Sequence, residues 1–328
     1  MVNMKPKNIE FEITTACNYV CIHCYCNAGR KSRVELTTDE IFDVIDQLVE
    51  ADVEVLDIVG GEPLLRNDLI DIFAYGKSKG LNMMMNTNAA LATREMVKKI
   101  RNVVPELTVG VSLDGPSATV HDKIRGVGSF ERTYEGLTNF LDAGFDVTIL
   151  FVVNKINYQY IQDMIDLAKE LGANLYVDRF IPVGRGILNR ELLLPTRNMI
   201  DYVAQKLKDY KDTRPMLYIE ENIFGEDECS AGKTHASILV DGNVVPCGHF
   251  RYLPEFYVGN VKEQRFKEIW SRMNDFRKRL IPEQCIRCAL RKFDSTNNSN
   301  IYCLSGCLAA ALFDKTLVDT RVCKIHNL

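Results

Sequence analysis

The chain has 328 residues, a net charge of −4 and a hydrophobic share of 46%, enough for one large α/β domain with a smaller appendage and an ample core. Lys and Arg alternate with Asp and Glu and form no basic stripe, so nothing points to a nucleic-acid partner. The N-terminus enters a strand pattern with no apolar signal segment. No run reaches the roughly 20 apolar residues of a membrane span, so a cytoplasmic protein with no membrane partner is expected.

The first predicted strand is Asn8 to Ile13, followed by a loop carrying Cys17-x3-Cys21-x2-Cys24. Thr37 and Glu40 read as a capping box, ahead of a helix whose apolar face is Ile41, Val44, Ile45, Leu48 and Val49. Val53 to Val59 is a second strand ending in Gly60-Gly61-Glu62-Pro63. A helix from about Asp68 to Ser78 stops before Gly80. Strands at Leu81 to Asn86, Leu107 to Ser112, Val147 to Val153 and Asn174 to Phe180 then alternate with helices at Thr93 to Ile100, Ser129 to Leu141 and Tyr158 to Leu171. Regular β/α alternation predicts parallel strands with crossover helices, and six such units fit an open, partial (β/α)6 barrel better than a doubly wound sheet. In barrels, chemistry gathers on loops at the C-terminal ends of strands. The cysteine loop and the Gly60–Pro63 turn both hold that position.

Near residue 215 the texture changes, predicting one domain over 1–215 and another over 216–328. The second has short strands, a hairpin turn at Asp241-Gly242, one helix at Phe266 to Leu280, and seven cysteines. With so little regular structure, bound metal is expected to supply much of its folding energy.

Eleven cysteines without an export signal point to metal binding, because cytosolic thiols stay reduced. Thiolates spaced like Cys17, Cys21 and Cys24 can hold three irons of a 4Fe–4S cluster and leave the fourth open for chemistry. A zinc knuckle completed by His23 or Cys26, or simple buried thiols, are the alternatives at this spacing.

Together with Gly60-Gly61-Glu62-Pro63, Thr87-Asn88 and Ser112-Leu113-Asp114-Gly115, each after a successive strand, the triplet resembles the radical S-adenosylmethionine (radical SAM) signature over residues 8 to about 185. The resemblance implies that the open iron binds the amino and carboxylate groups of SAM. It implies that the Gly60–Pro63 turn lets the backbone approach the methionyl ammonium, with glycines leaving room. Ser112 and Asp114 resemble ribose-region contacts, and Arg125 a partner for the SAM carboxylate. Asn88 and Asn154, just past strands, are further candidates. His23 stands where the family usually has an aromatic, and Cys26 is extra to the signature. Arg179 and Arg185 follow the sixth strand and either bind an acidic substrate group or, as arginines at strand ends equally do, serve a structural role. Lys31 and Arg33 read as solvated.

The later cysteines resemble the SPASM extension of radical SAM enzymes, over about 217 to 328. The resemblance implies one auxiliary 4Fe–4S cluster on Cys285, Cys288, Cys303 and Cys323, and three ligands to another from Cys229, Cys247 and Cys307. The usual cysteine upstream of Cys229 is missing, and Glu226, Asp227 or a substrate atom are the substitutes in reach. The insert from Ala289 to Tyr302 departs from the family spacing and reads as a surface loop.

The implied function is a radical SAM enzyme with three 4Fe–4S clusters that cleaves SAM reductively and abstracts hydrogen from a peptide or protein undergoing maturation. A tetrapyrrole or another small acidic molecule is the alternative substrate. A non-catalytic iron–sulfur electron carrier is the remote one. The implied partners are a flavodoxin- or ferredoxin-type electron donor and, because the first strand begins by residue 8, a separate leader-peptide-binding protein.

Overall fold

The computed structural model describes residues 5–208, 210, 217–219 and 229–280, with 217–219 and 274–280 described through their backbone alone. Seven parallel strands follow one another across the sheet in chain order: β1 (Asn8–Glu12), β2 (Val55–Val59), β3 (Asn82–Thr87), β4 (Thr108–Ser112), β5 (Asp146–Val153), β6 (Asn174–Arg179) and β7 (Leu217–Ile219). Right-handed crossovers between strands that never reverse order place every connecting helix on the same face. A doubly wound sheet reverses its order and covers both faces. Here the uncovered face curls around a cavity of about 730 Å³, the geometry of a partial barrel.

Strand alternation divides the residues between the two faces. Ile9, Phe11, Leu56, Ile58, Val109 and Val111 are buried in the main apolar core, together with Ile41, Val44, Ile45 and Leu48 of α1 (Thr38–Glu50). Asn8, Glu10, Asp57, Asn86, Thr108 and Thr148 alternate with those apolar positions and line the cavity. The capping box of α1 forms as expected, with Glu40 N donating to Thr37 Oγ1 at 3.3 Å and Thr37 N donating to Glu40 Oε2 at 2.8 Å.

Helices α2 (Leu69–Ser78), α3 (Arg94–Val103), α5 (Ser129–Asp142) and α6 (Ile161–Leu171) lie where the sequence pattern puts them. Four helices escaped it: α4 (Ala118–Arg125), α7 (Arg185–Leu188), α8 (Arg190–Leu193) and α9 (Arg197–Lys208). Two of these, α7 and α8, have four residues each and are too short to show a helical period, and α4 buries only Val120 and Ile124 among its apolar residues, whereas α9 carries a readable face in Ile200, Val203 and Leu207 that the sequence reading passed over.

The sheet continues past residue 215. Strand β8 (His235–Ile238) joins the free edge of β1 in parallel, Glu10 facing Ser237, and β9 (Asn243–Val245) and β10 (Gly259–Asn260) follow antiparallel. The β8–β9 hairpin turns at Gly242, whose φ of 88° is the left-handed conformation that glycine allows. Helix α10 (Phe266–Leu280) packs against α1, where Gln47 accepts from Phe266 N at 2.9 Å. The cysteine-rich segment is thus stitched directly onto the strand that carries the cysteine loop.

Candidate active site

The loop after β1 is fixed by backbone contacts on three sides. Cys17 N donates to Gly29 O at 2.9 Å, closing the loop on itself. On the β2 side, Gly61 N donates to Thr14 O at 2.6 Å and Glu62 N to Ala16 O at 2.7 Å. A Cβ on Gly61 would lie 2.2 Å from Ala16 O, and one on Gly60 2.6 Å from Thr14 O. The glycines are therefore needed for the packing of this turn on the cysteine loop itself, apart from any room they leave for a ligand. On the β6 side, Arg185 N donates to Cys24 O at 2.9 Å, and its guanidinium donates to Cys21 O at 3.0 Å and Ala28 O at 2.5 Å. Gly184, at φ 58°, lies so close that a Cβ would meet Tyr25 O at 2.3 Å. Arg185 is thus a clamp on the loop, the structural one of its two readings.

Cys17, Cys21 and Cys24 border the cavity together with Gly60, Gly61, Asn88, Ser112 and Arg125. Backbone N–H groups already point at the sulfurs, from Tyr19 to Cys17 at 3.4 Å and from Ala28 to Cys24 at 3.3 Å. Burial pushes the Cys21 thiol up to about 12, so metal must displace its proton. Among the described residues no three thiol, imidazole or carboxylate groups converge as a single-ion site requires. A cubane instead spreads its thiolates over separate irons, which this donor set fits. His23 turns its Nε2 to Asp114 Oδ2 at 3.3 Å and Arg125 Nη2 at 3.4 Å, and its Nδ1 has no hydrogen-bond partner.

Four predicted residues stand behind the cavity wall. Glu62 is buried and accepts from Thr87 Oγ1 at 2.6 Å, Asn88 N at 2.8 Å and Leu64 N at 3.0 Å, tying the glycine turn to the end of β3. Pro63 opens the short helical turn beside it. Asp114 is fully buried and accepts from Arg125 Nε at 2.6 Å and Val152 N at 3.0 Å. Burial pushes its carboxyl up, but Arg125 and the two histidines outweigh that and hold it below the ordinary range. Asn154 spends its side chain on Ile156 N (2.9 Å) and Val152 O (3.0 Å).

Residues 11–168 match the radical SAM superfamily, and residues 229–289 match SPASM, an iron–sulfur cluster-binding domain. Over 331 residues the chain is 33% identical to the AdoMet-dependent heme synthase of Methanosarcina barkeri, covering 92% of this chain and 93% of that one. It is 30% identical to the mycofactocin maturase MftC of Mycolicibacterium smegmatis, covering 96% and 81%. The chain belongs to the radical SAM superfamily. Among solved structures, Streptococcus suis SuiB bound to S-adenosylmethionine superimposes with a TM-score of 0.79 at 18% identity, covering 97% of this chain and 77% of SuiB, a likeness of fold.

The cavity of this radical SAM enzyme is also bordered by Cys247, Gly248 and His249. His249 Nδ1 lies 3.3 Å from Cys247 Sγ, and its ring lies 5.4 Å from that of Tyr25, the neighbour of Cys24. Cys229 and Cys247 pack on one apolar cluster with Ile181, Val183 and Phe250. Glu12 and Arg251 form a buried pair at 2.7 Å that locks β1 to the SPASM segment. The sequence reading missed Glu12, Arg251 and His249, because their partners are distant in the chain and belong to no short motif. Cys285, Cys288, Cys303, Cys307 and Cys323 lie outside the described residues, as do Glu226 and Asp227.

Proposed function

We propose that this radical SAM enzyme matures a peptide or protein by hydrogen abstraction, with the signature cluster on one side of the substrate and an auxiliary cluster on the other. One observation carries the proposal: Cys17, Cys21 and Cys24 border the same cavity as Cys247. When bound, the signature cluster supplies the electron that cleaves SAM into methionine and a 5′-deoxyadenosyl radical, the hydrogen-abstracting species.

Cys17, Cys21 and Cys24 would hold that cluster. Cys229, Cys247 and Cys307 would hold one auxiliary cluster and Cys285, Cys288, Cys303 and Cys323 another. The exposed edges of Gly60 and Gly61, the amide of Asn88, Ser112 and the guanidinium of Arg125 would orient SAM. Asp114 would act through Arg125, and Glu62 through the turn. An acidic flavodoxin or ferredoxin as electron donor, a separate leader-binding protein and a cytoplasmic setting complete the reading. Among the described residues no helix is long and apolar enough to cross a membrane.

A tetrapyrrole substrate has its own support in the Methanosarcina barkeri relatives, the heme synthase and an Fe-coproporphyrin III synthase that is 31% identical. The cavity wall speaks against it, because carboxylates of Glu10, Asp57, Asp146 and Asp178 outnumber the guanidiniums of Arg125 and Arg179. The test is anaerobic reconstitution, an iron count and a 5′-deoxyadenosine assay with peptides encoded beside the gene and with iron-coproporphyrin. About twelve irons per chain and peptide-dependent turnover are expected. Turnover with the porphyrin alone would transfer the assignment to the second substrate.

A further inference from the structure

Resting on the peptide-maturation reading, we propose that Glu10 and Asp57 form a subsite for a substrate ammonium group, such as a lysine side chain. The parallel register of β1 and β2 sets Glu10 beside Asp57 on the inner face. Two carboxylates side by side repel each other, and burial raises both toward their neutral forms, Asp57 to about 7. Among the described residues neither has an ion-pair partner within 4 Å. Arg251 draws the Glu10 carboxyl down in part but is itself bonded to Glu12 at 2.7 Å, and Glu10 accepts from the Tyr25 hydroxyl at 3.2 Å.

The site is nevertheless built with care. Asn86 lies so close over Gly110 that a Cβ there would be 2.1 Å from its Oδ1, and its Nδ2 donates to Asp57 Oδ2 at 2.9 Å. That contact fixes the carboxylate and leaves Asp57 Oδ1 buried without a hydrogen-bond partner. Both acids line the cavity that the cysteines border. A buried acceptor without a donor costs free energy unless a ligand supplies one. An ammonium brings both the donors and the charge that makes ionisation of the pair favourable, whereas a substrate carboxylate would add a third negative charge.

Calorimetry on the reconstituted enzyme with SAM bound tests this with three probes: the N-acetyl, N-methylamide derivatives of lysine, norleucine and glutamate. The lysine probe should bind at least tenfold more tightly than norleucine, whose side chain is the same apart from the ammonium it lacks, and glutamate most weakly. Glu10→Gln and Asp57→Asn, singly and together, should shrink the lysine preference stepwise toward none. Equal binding of lysine and norleucine, no measurable lysine binding at millimolar concentration, or a preference that survives the double substitution would overturn the subsite. The parent reading is judged separately by 5′-deoxyadenosine formation. Peptide-dependent SAM cleavage with no charge preference would sink the subsite alone, and lysine preference without any peptide turnover would sink only the parent reading.

Discussion

Asp114, just past β4, stands behind the cavity wall and Asp57, in β2, lines it, and their surroundings are finished in opposite ways. Asp114 meets Arg125 at 2.6 Å, His23 at 3.3 Å and the Val152 amide at 3.0 Å, and its carboxyl stays low despite burial. Asp57 meets one amide and a second carboxylate, and its carboxyl is raised to about 7. Beside the signature cysteines Asp114 and Arg125 answer each other and the backbones touch at glycine distance. On the β1–β2 wall the charges are alike. The first arrangement suits a scaffold that must hold its shape before any ligand arrives, and the second suits a surface completed by something else. Substitutions on the two sides should therefore differ in sign as well as size.

The largest effect is expected at Gly61→Ala. The added methyl meets backbone, the Ala16 carbonyl at 2.2 Å, so the cysteine loop or the β2 turn must move. A loss above about 4 kcal/mol is expected, with iron uptake at the signature site failing while the auxiliary clusters load. Normal iron content and an unchanged melting midpoint would show that the contact is slack and that the cysteine side is less closed than described.

Arg125→Ala comes next. It strips Asp114 of its nearest cation and leaves a buried carboxylate beside two histidines, at a cost of about 3–5 kcal/mol. Asp114→Asn with Arg125→Met, which removes both charges, should recover part of that loss. A single substitution with no more effect than Glu10→Gln would erase the distinction between the two sides.

Asp57→Asn should act in the opposite direction. In the folded chain the carboxyl ionises near 7 and in the unfolded chain near 3.8, so unfolding releases a proton between those values. Stability contributed by the neutral form is complete below pH 3.8 and is lost as pH rises through about 7. The asparagine variant lacks that loss. Its thermal midpoint should match the parent near pH 4 and exceed it at pH 8, by the equivalent of about 2–4 kcal/mol. A variant less stable than the parent at pH 8 would mean that Asp57 has a partner within the chain.

How much of this was legible in the sequence differs between the same two sides. The cysteine triplet, the Gly60–Pro63 turn and the β/α alternation are local patterns, and local patterns survive in a linear reading. The role of Arg185 stayed open between substrate contact and structure because its guanidinium partners are the carbonyls of Cys21 and Ala28, some 160 residues earlier, and carbonyls leave no mark in a sequence. Asp114 was read as a ribose-region contact from the resemblance and Asn154 as a candidate because it follows a strand, and neither reading shows that the side chain is bonded back into the protein. The Glu10–Asp57 pair depends on a parallel register that periodicity cannot supply, since shifting β1 by one residue would send Glu10 to the core. Glu12 with Arg251 escaped for a related reason, their elements meeting only when β8 docks on β1.

The smallest effect is expected at Cys26→Ala, and it probes how completely the cysteine side is specified. Cys26 Sγ lies 3.6 Å from Cys24 Sγ and 3.7 Å from Gly60 O, on the cavity wall. Thiolates on separate irons of one cubane point away from each other, so two sulfurs in mutual contact do not serve two corners. Cys26 should then contribute packing and a weak S–H bond alone, and its loss should cost about 1 kcal/mol. Iron per chain and the magnetic-resonance signal of the reduced signature cluster should stay as in the parent. Loss of about four irons, the content of one cubane, would instead make Cys26 a ligand and leave Cys24 or Cys21 as the spare thiol, and the clamp that Arg185 places on Cys21 and Cys24 would have to be read as holding a different set.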